Sequence, residues 1–156
     1  MIRKLLAEGI GTMFLVILAC GSAVLAGPSI GGLGVGICFG LVLLCLCYCI
    51  GGISGCHVNP AVSFAMLLSG RMKGSEFIGY VVATIGAGFL YCLTRMGLGY
   101  DYGGTTAISG SFLATNVLQP GATPMMALLT EGLLTFFFVL VVLGATDSRT
   151  SFTKFG

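Results

Sequence analysis

The chain has 156 residues, of which 8% are charged and 56% hydrophobic, and a formal net charge of +2. A soluble domain carries about 25% charged residues, so this composition, with a mean hydropathy of +1.07, excludes one and indicates an integral membrane protein. The small positive charge forms no patch or stripe of the kind that marks nucleic-acid binders.

Four apolar runs are long enough to cross a bilayer as helices: residues 5–27, 33–53, 77–97 and 124–145. Arg3 and Lys4 precede the first, Arg71 and Lys73 lie between the second and third, and Arg149 and Lys154 lie in the tail, with Arg95 near the opposite face. Basic residues concentrate on the cytoplasmic side of membrane proteins, so both termini are expected in the cytoplasm. The opening Met1-Ile2-Arg3-Lys4 and the later Ile17-Leu18-Ala19-Cys20 imitate a signal peptide with a lipoprotein cleavage box. The chain beyond Cys20 continues as spans, and Glu8 interrupts the early apolar run, so the segment reads as a retained span.

Glu8 is the chemical feature of the first span. A carboxylate there either faces the bundle interior with hydrogen-bond partners or reaches headgroup water from near the span's end. The fourth span bears on the choice. Ala7-Glu8-Gly9-Ile10-Gly11-Thr12-Met13-Phe14-Leu15-Val16 aligns with Thr130-Glu131-Gly132-Leu133-Leu134-Thr135-Phe136-Phe137-Phe138-Val139, repeating Glu, Gly, Thr, Phe and Val in register. Three spans separate the two starting points, so the second copy enters from the opposite face, as in an inverted-topology repeat.

The second span opens with Gly32, Gly36 and Gly40, a small-residue face that predicts close approach of another helix. Phe39 beside it needs no special role on its own, since large apolar residues fill cores and face lipid alike. Residues 53–63 then break the pattern. The glycine-rich, polar first half does not make an ordinary span, and bare backbone at membrane depth is tolerated only in protein or against a wet cavity. Asn59 suits an N-cap and Pro60 the first helical position. The next roughly ten residues make about 15 Å of helix, half of a bilayer core of about 30 Å. The expectation is a loop that dips into the membrane, over about residues 54–70, and returns as a half-helix. Its positive end would point at the membrane centre, where it opposes cations.

In that loop the carbonyls of Gly55 to Val58 offer acceptors and the Asn59 amide a donor. His57 either lines a passage or holds the loop, and Cys56 is either reachable by thiol reagents or packed. The third span carries Gly79, Ala83 and Ala87 on one close-packing face. Residues 98–123 are a Gly/Ser/Thr-rich loop in which Tyr100 and Tyr102 suit interface anchors. The seven cysteines, Cys20, Cys38, Cys45, Cys47, Cys49, Cys56 and Cys92, are mostly inside spans, and one His with no Cys-x-x-Cys pair predicts no metal site. They read as small packing residues. No nucleophile–base pair or metal set supports an enzyme, and no cofactor is expected.

Ser54-Gly55-Cys56-His57-Val58-Asn59-Pro60-Ala61-Val62 resembles the first signature loop of the aquaporin and glycerol-facilitator family, SG-x-H-x-NPA-V. Gly79-Tyr80-Val81-Val82-Ala83-Thr84 is similar to the family's GY-x-x-AQ, with Thr84 in place of Gln. The resemblance implies an all-α integral membrane protein, an aquaporin-like inverted-repeat bundle, here incomplete with four transmembrane helices and one re-entrant half-helix. It implies that Glu8 and Glu131 brace the two re-entrant loops and that Asn59, Pro60, Ala61, His57, Cys56 and Phe39 lie at the pore, Phe39 matching the water-selective branch.

Residues 1–97 would form the first repeat, 98–123 the inter-repeat loop, 124–147 the first helix of the second repeat, and 148–156 a polar tail. The motif-level resemblance covers about residues 3–147. The repeat offset would put a second signature loop, with the family's constriction Arg after it, near position 182, so the expectation is a bacterial-type water channel truncated after the fourth span. Passive permeation of water or a small neutral solute is the expected function. The alternative is a non-conducting fragment that only packs with full-length channels. The resemblance further implies a tetrameric homo-oligomer in a bacterial inner membrane.

Overall fold

The computed structural model describes residues 1–97 and 121–147. Most of the 98–123 loop, with Tyr100 and Tyr102, and the tail, with Arg149 and Lys154, lie outside them. The described residues are helical: α1 (Ile2–Leu15), a single π-helical turn over Val16–Cys20, α2 (Gly21–Ser54), α3 (Pro60–Leu68), α4 (Gly74–Gly97) and α5 (Pro124–Ala145). The continuous hydrogen bonding of α2 hides a break. Gly31 adopts φ 66° and ψ 177°, three residues after Pro28, and there the first apolar run ends and the second begins. Only glycine takes that conformation without steric cost.

The helix lengths fit the bilayer. The 24 residues of α4 and the 22 of α5 extend about 36 and 33 Å at 1.5 Å per residue, whereas the nine residues of α3 extend about 14 Å. α3 is therefore a half-helix. Asn59 caps it, its side-chain oxygen accepting from the Ala61 N–H, and Pro60 fills the first position, where a missing N–H costs nothing.

Polarity is reversed relative to a water-soluble fold. Leu33 is 80% exposed and Phe136 60%, among many outward-facing large apolar residues, while Glu8, Thr12, Ser54, His57, Ser63 and Thr84 are buried. Contiguous apolar surface on this scale marks a membrane or protein partner. The polar interior sits where α1, the end of α2, α3 and α4 converge. α1 approaches the end of α2 closely because position 11 has no side chain: a Cβ on Gly11 would stand 2.5 Å from Ile50 Cδ1 and 3.0 Å from Val58 Cγ1. α4 lies against α1 at Gly79 and Ala83, as the small-residue face predicted: Leu5 fills the space that a Cβ at Gly79 would take, and a Cβ on Gly9 would stand 3.8 Å from the Ala83 carbonyl. The Gly32, Gly36 and Gly40 face differs from its expectation: a Cβ on any of the three would meet nothing within 4 Å. Small residues permit close approach, but no described helix of this chain covers that side.

α5 stands apart. None of its residues is buried. It leans on α3 and is held at its end by Arg71, which donates to the Leu143 carbonyl (3.2 Å) and the Thr146 hydroxyl (3.1 Å) and pairs with Asp147 (3.3 Å). A cation there offsets the negative end of the helix. At the same end of the bundle Lys4 pairs with Glu76 at 3.0 Å, joining the beginnings of α1 and α4.

Candidate functional site

The five residues between α2 and α3 form the site, and their backbone has little freedom. Gly55 has φ 88°, Cys56 φ 51° and Val58 φ 40°. The left-handed region costs a non-glycine residue roughly 1–2 kcal/mol, most of all a β-branched one such as Val58. Such a path persists only where its surroundings fix it.

The N–H groups of Gly55 to Val58 are all accounted for. Gly55 N–H donates to the Gly51 carbonyl (2.8 Å) and Cys56 N–H to Ser54 Oγ (3.2 Å). His57 N–H donates to Glu8 Oε1 (3.0 Å) and Val58 N–H to Glu8 Oε2 (2.6 Å). Glu8 is 0% exposed, and both of its oxygens serve the loop, so its side chain spans two successive amides from across the bundle. Hydrogen bonds to a charged acceptor contribute about 1.5–3 kcal/mol each, enough to offset the backbone strain at Cys56 and Val58.

Side chains complete the clamp. His57 is buried, its Nδ1 lies 3.0 Å from Ser63 Oγ, and its ring rests against Tyr80 with centroids 4.9 Å apart. The ring contacts tie the loop to α3 and α4, and His57 also borders the cavity beside the loop. Tyr80 OH donates to the Ser54 carbonyl at 2.6 Å, and Ser63 Oγ donates to the Asn59 carbonyl at 3.3 Å. Sequence reasoning did not single out Ser54, Ser63 or Tyr80. Ser63, one helical turn after the Asn59 cap, and Tyr80, in the GY-x-x-A stretch, were the available signals.

Asn59 ends the loop half-buried, with its Oδ1 accepting from Ala61 N–H at 2.8 Å. Its NH₂ offers two donors at the positive end of α3. Pro60 is exposed and Ala61 half-buried beside it. Cys56 is buried, packed with Leu46 and Val58. A cavity of about 280 Å³ adjoins the loop, bordered by Gly55, Cys56 and His57, by Cys47 of α2, and by Arg71 and Thr146. Phe39 is half-buried on α2, fifteen residues before Ser54 and so about 22 Å along the helix from it. Glu131 is exposed on α5; the loop amides are served by Glu8. Thr84, where the resembling pattern has Gln, is buried with its hydroxyl lacking a partner among the described residues. Among the described residues no cluster of three or more potential metal ligands occurs.

A family model described as Major intrinsic protein matches residues 1–155, farther than the motif-level resemblance, which stops at 147. Aquaporin Z of Brucella melitensis biotype 1 is 42% identical over 161 aligned residues, covering 95% of this chain and 67% of that protein. Aquaporin Z of Bradyrhizobium diazoefficiens is 37% identical over 157, covering 94% of this chain and 64% of the relative. The chain thus spans about two thirds of the length of these curated relatives.

Proposed function

We infer, since the chain belongs to the major intrinsic protein family, that its residues build one wall of a membrane channel for passive permeation of water or a small neutral solute. The observation that carries this reading is the division of hydrogen-bonding groups at the loop. All four N–H groups of Gly55 to Val58 are taken by Gly51, Ser54 and Glu8. The loop is left with its carbonyls as acceptors, and Asn59, its oxygen tied to Ala61, with an NH₂ donor.

Water passing such a wall donates to carbonyls along the loop and accepts from Asn59 at its tip. The amino end of α3 disfavours cations at that point. Glu8, His57, Ser63 and Tyr80 act as positioning residues in this reading, holding the loop rather than touching the solute. Phe39 narrows the passage toward the other face, and Glu131 braces a second loop of the same kind. The basic residues Arg3, Lys4, Arg71, Lys73, Arg149 and Lys154 place both termini in the cytoplasm. A bacterial inner membrane and a tetramer complete the assignment.

A second reading, in which these residues do not conduct alone and only pack with a longer channel, draws support from α5, where no residue is buried, and from the uncovered glycine face of α2. Osmotic shrinkage of proteoliposomes holding the 156-residue chain separates the two. Fast shrinkage, lost in Asn59→Asp with the helix content unchanged, is the expected result for a conducting assembly. The variant keeps the capping oxygen and replaces the donor NH₂ with a negative charge. Shrinkage no faster than empty vesicles, from protein verified as folded and inserted, overturns autonomous conduction and leaves the packing role.

A further inference from the structure

Two thiols meet at the loop cavity. Cys47, half-buried on α2, packs against the cluster formed by Leu46, Cys56 and Val58. Cys47 and Cys56 both border the cavity of about 280 Å³. Gly51 and Gly55, which border it too, have no side chains to fill the space beside the sulfurs. The proposed permeation role uses the loop's carbonyls and Asn59 and leaves this pair unused.

We propose that Cys47 and Cys56 form a two-thiol site for neutral trivalent arsenicals, bridged by one arsenic atom within the cavity. An organoarsenous acid condenses with two thiols: two As–O and two S–H bonds break, two As–S bonds form, and two waters leave. Arsenic stays trivalent, so the step needs no oxidant. A disulfide would need one, and would draw the sulfurs to about 2.0 Å. A metal cation would require deprotonated thiols and further ligands, and among the described residues no cluster of three or more potential metal ligands occurs. Two thiols packed in one cluster at the edge of one cavity are placed for a single pyramidal arsenic to bridge. The bridge would staple α2 to the loop, and it stands whether or not the chain conducts.

The natural competitor is Cys45 with Cys49, one helical turn apart on α2, exposed, and bordering a separate apolar cavity of about 390 Å³. The test uses the full chain in detergent micelles with phenylarsine oxide, followed by intact-mass measurement. The expected result is one probe retained per chain against excess glutathione and released by 2,3-dimercaptopropanol. Retention should fall about 100-fold in Cys47→Ser and in Cys56→Ser, because two-point attachment is lost, and should not change in Cys45→Ser. Chymotryptic cleavage after Tyr48 of the wild-type adduct should leave the Cys47 and Cys56 peptides joined through arsenic, which decides the matter even where a Cys56 variant fails to fold. Release of the probe by glutathione alone, joining of other cysteines, or loss in Cys45→Ser overturns the proposal.

Discussion

Glu8→Gln isolates the contact that fixes the loop. In the wild type both carboxylate oxygens accept backbone hydrogen bonds, from His57 N–H at 3.0 Å and Val58 N–H at 2.6 Å, at a site with no solvent exposure. The amide keeps the shape and one acceptor but sets its NH₂ against the other N–H. One charge-assisted bond is lost, at about 1.5–3 kcal/mol, with no water to replace it. Glu8→Ala strands both amides at about 1–3 kcal/mol each. Removing a buried charge returns some desolvation energy, yet breaking one side of a buried charged contact is destabilising on balance. Thermal unfolding in detergent should therefore rank wild type above Glu8→Gln above Glu8→Ala. The local readout is amide exchange at His57 and Val58, which should quicken about 10- to 100-fold in Glu8→Gln, tenfold for each 1.4 kcal/mol. If stability stays within about 0.5 kcal/mol of wild type and neither amide exchanges faster, the carboxylate does not hold the loop and the account of its strained path is wrong.

Tyr80→Phe keeps the ring contact with His57 but removes the 2.6 Å bond to the Ser54 carbonyl; equilibrium unfolding should register a loss of about 1–3 kcal/mol. Gly55→Ala puts a Cβ on a residue at φ 88°, 3.3 Å from His57 Nε2, and should lower the thermal midpoint by an amount worth roughly 1–2 kcal/mol, with no change expected for Gly70→Ala beyond its own backbone strain. The Lys4 ammonium, hydrogen-bonded to Glu76, holds that carboxyl below the usual carboxylate range. A depressed folded value means stabilisation that is complete above the unfolded value of about 4.3 and lost as pH falls through the folded one. Wild type should exceed Glu76→Gln by less than about 1 kcal/mol at neutral pH, with the gap closing on acidification below about pH 4; a gap that widens in acid contradicts the assignment.

Local chemistry made much of this protein legible. Runs of apolar residues with 8% charge overall leave no alternative to the bilayer, because so little polar surface cannot cover a soluble globule. The Asn59–Pro60 pair starts a helix from its own geometry, since the cap satisfies an N–H and proline lacks the one it would otherwise strand; α3 begins at Pro60. The fourth span, residues 124–145, coincides with α5 because nothing inside it competes with helix. The family was readable too, from a motif whose residues are adjacent in the chain.

The contributions of the tertiary structure depend on partners distant in sequence. Glu8 meets His57 across 49 positions and Tyr80 meets Ser54 across 26, and no short-range preference encodes either pairing. Propensity argues against left-handed Cys56 and Val58; the carboxylate that compensates them arrives on another helix. Phe39 and the α2 glycines show the converse, where a small or aromatic residue permits a contact and packing alone determines whether one forms. The sequence determined that this chain enters a membrane and carries a half-helix capped by Asn59. Only the packing of α1 and α4 around the loop determined which groups are spent holding it, because hydrogen bonds at membrane depth must be closed within the protein.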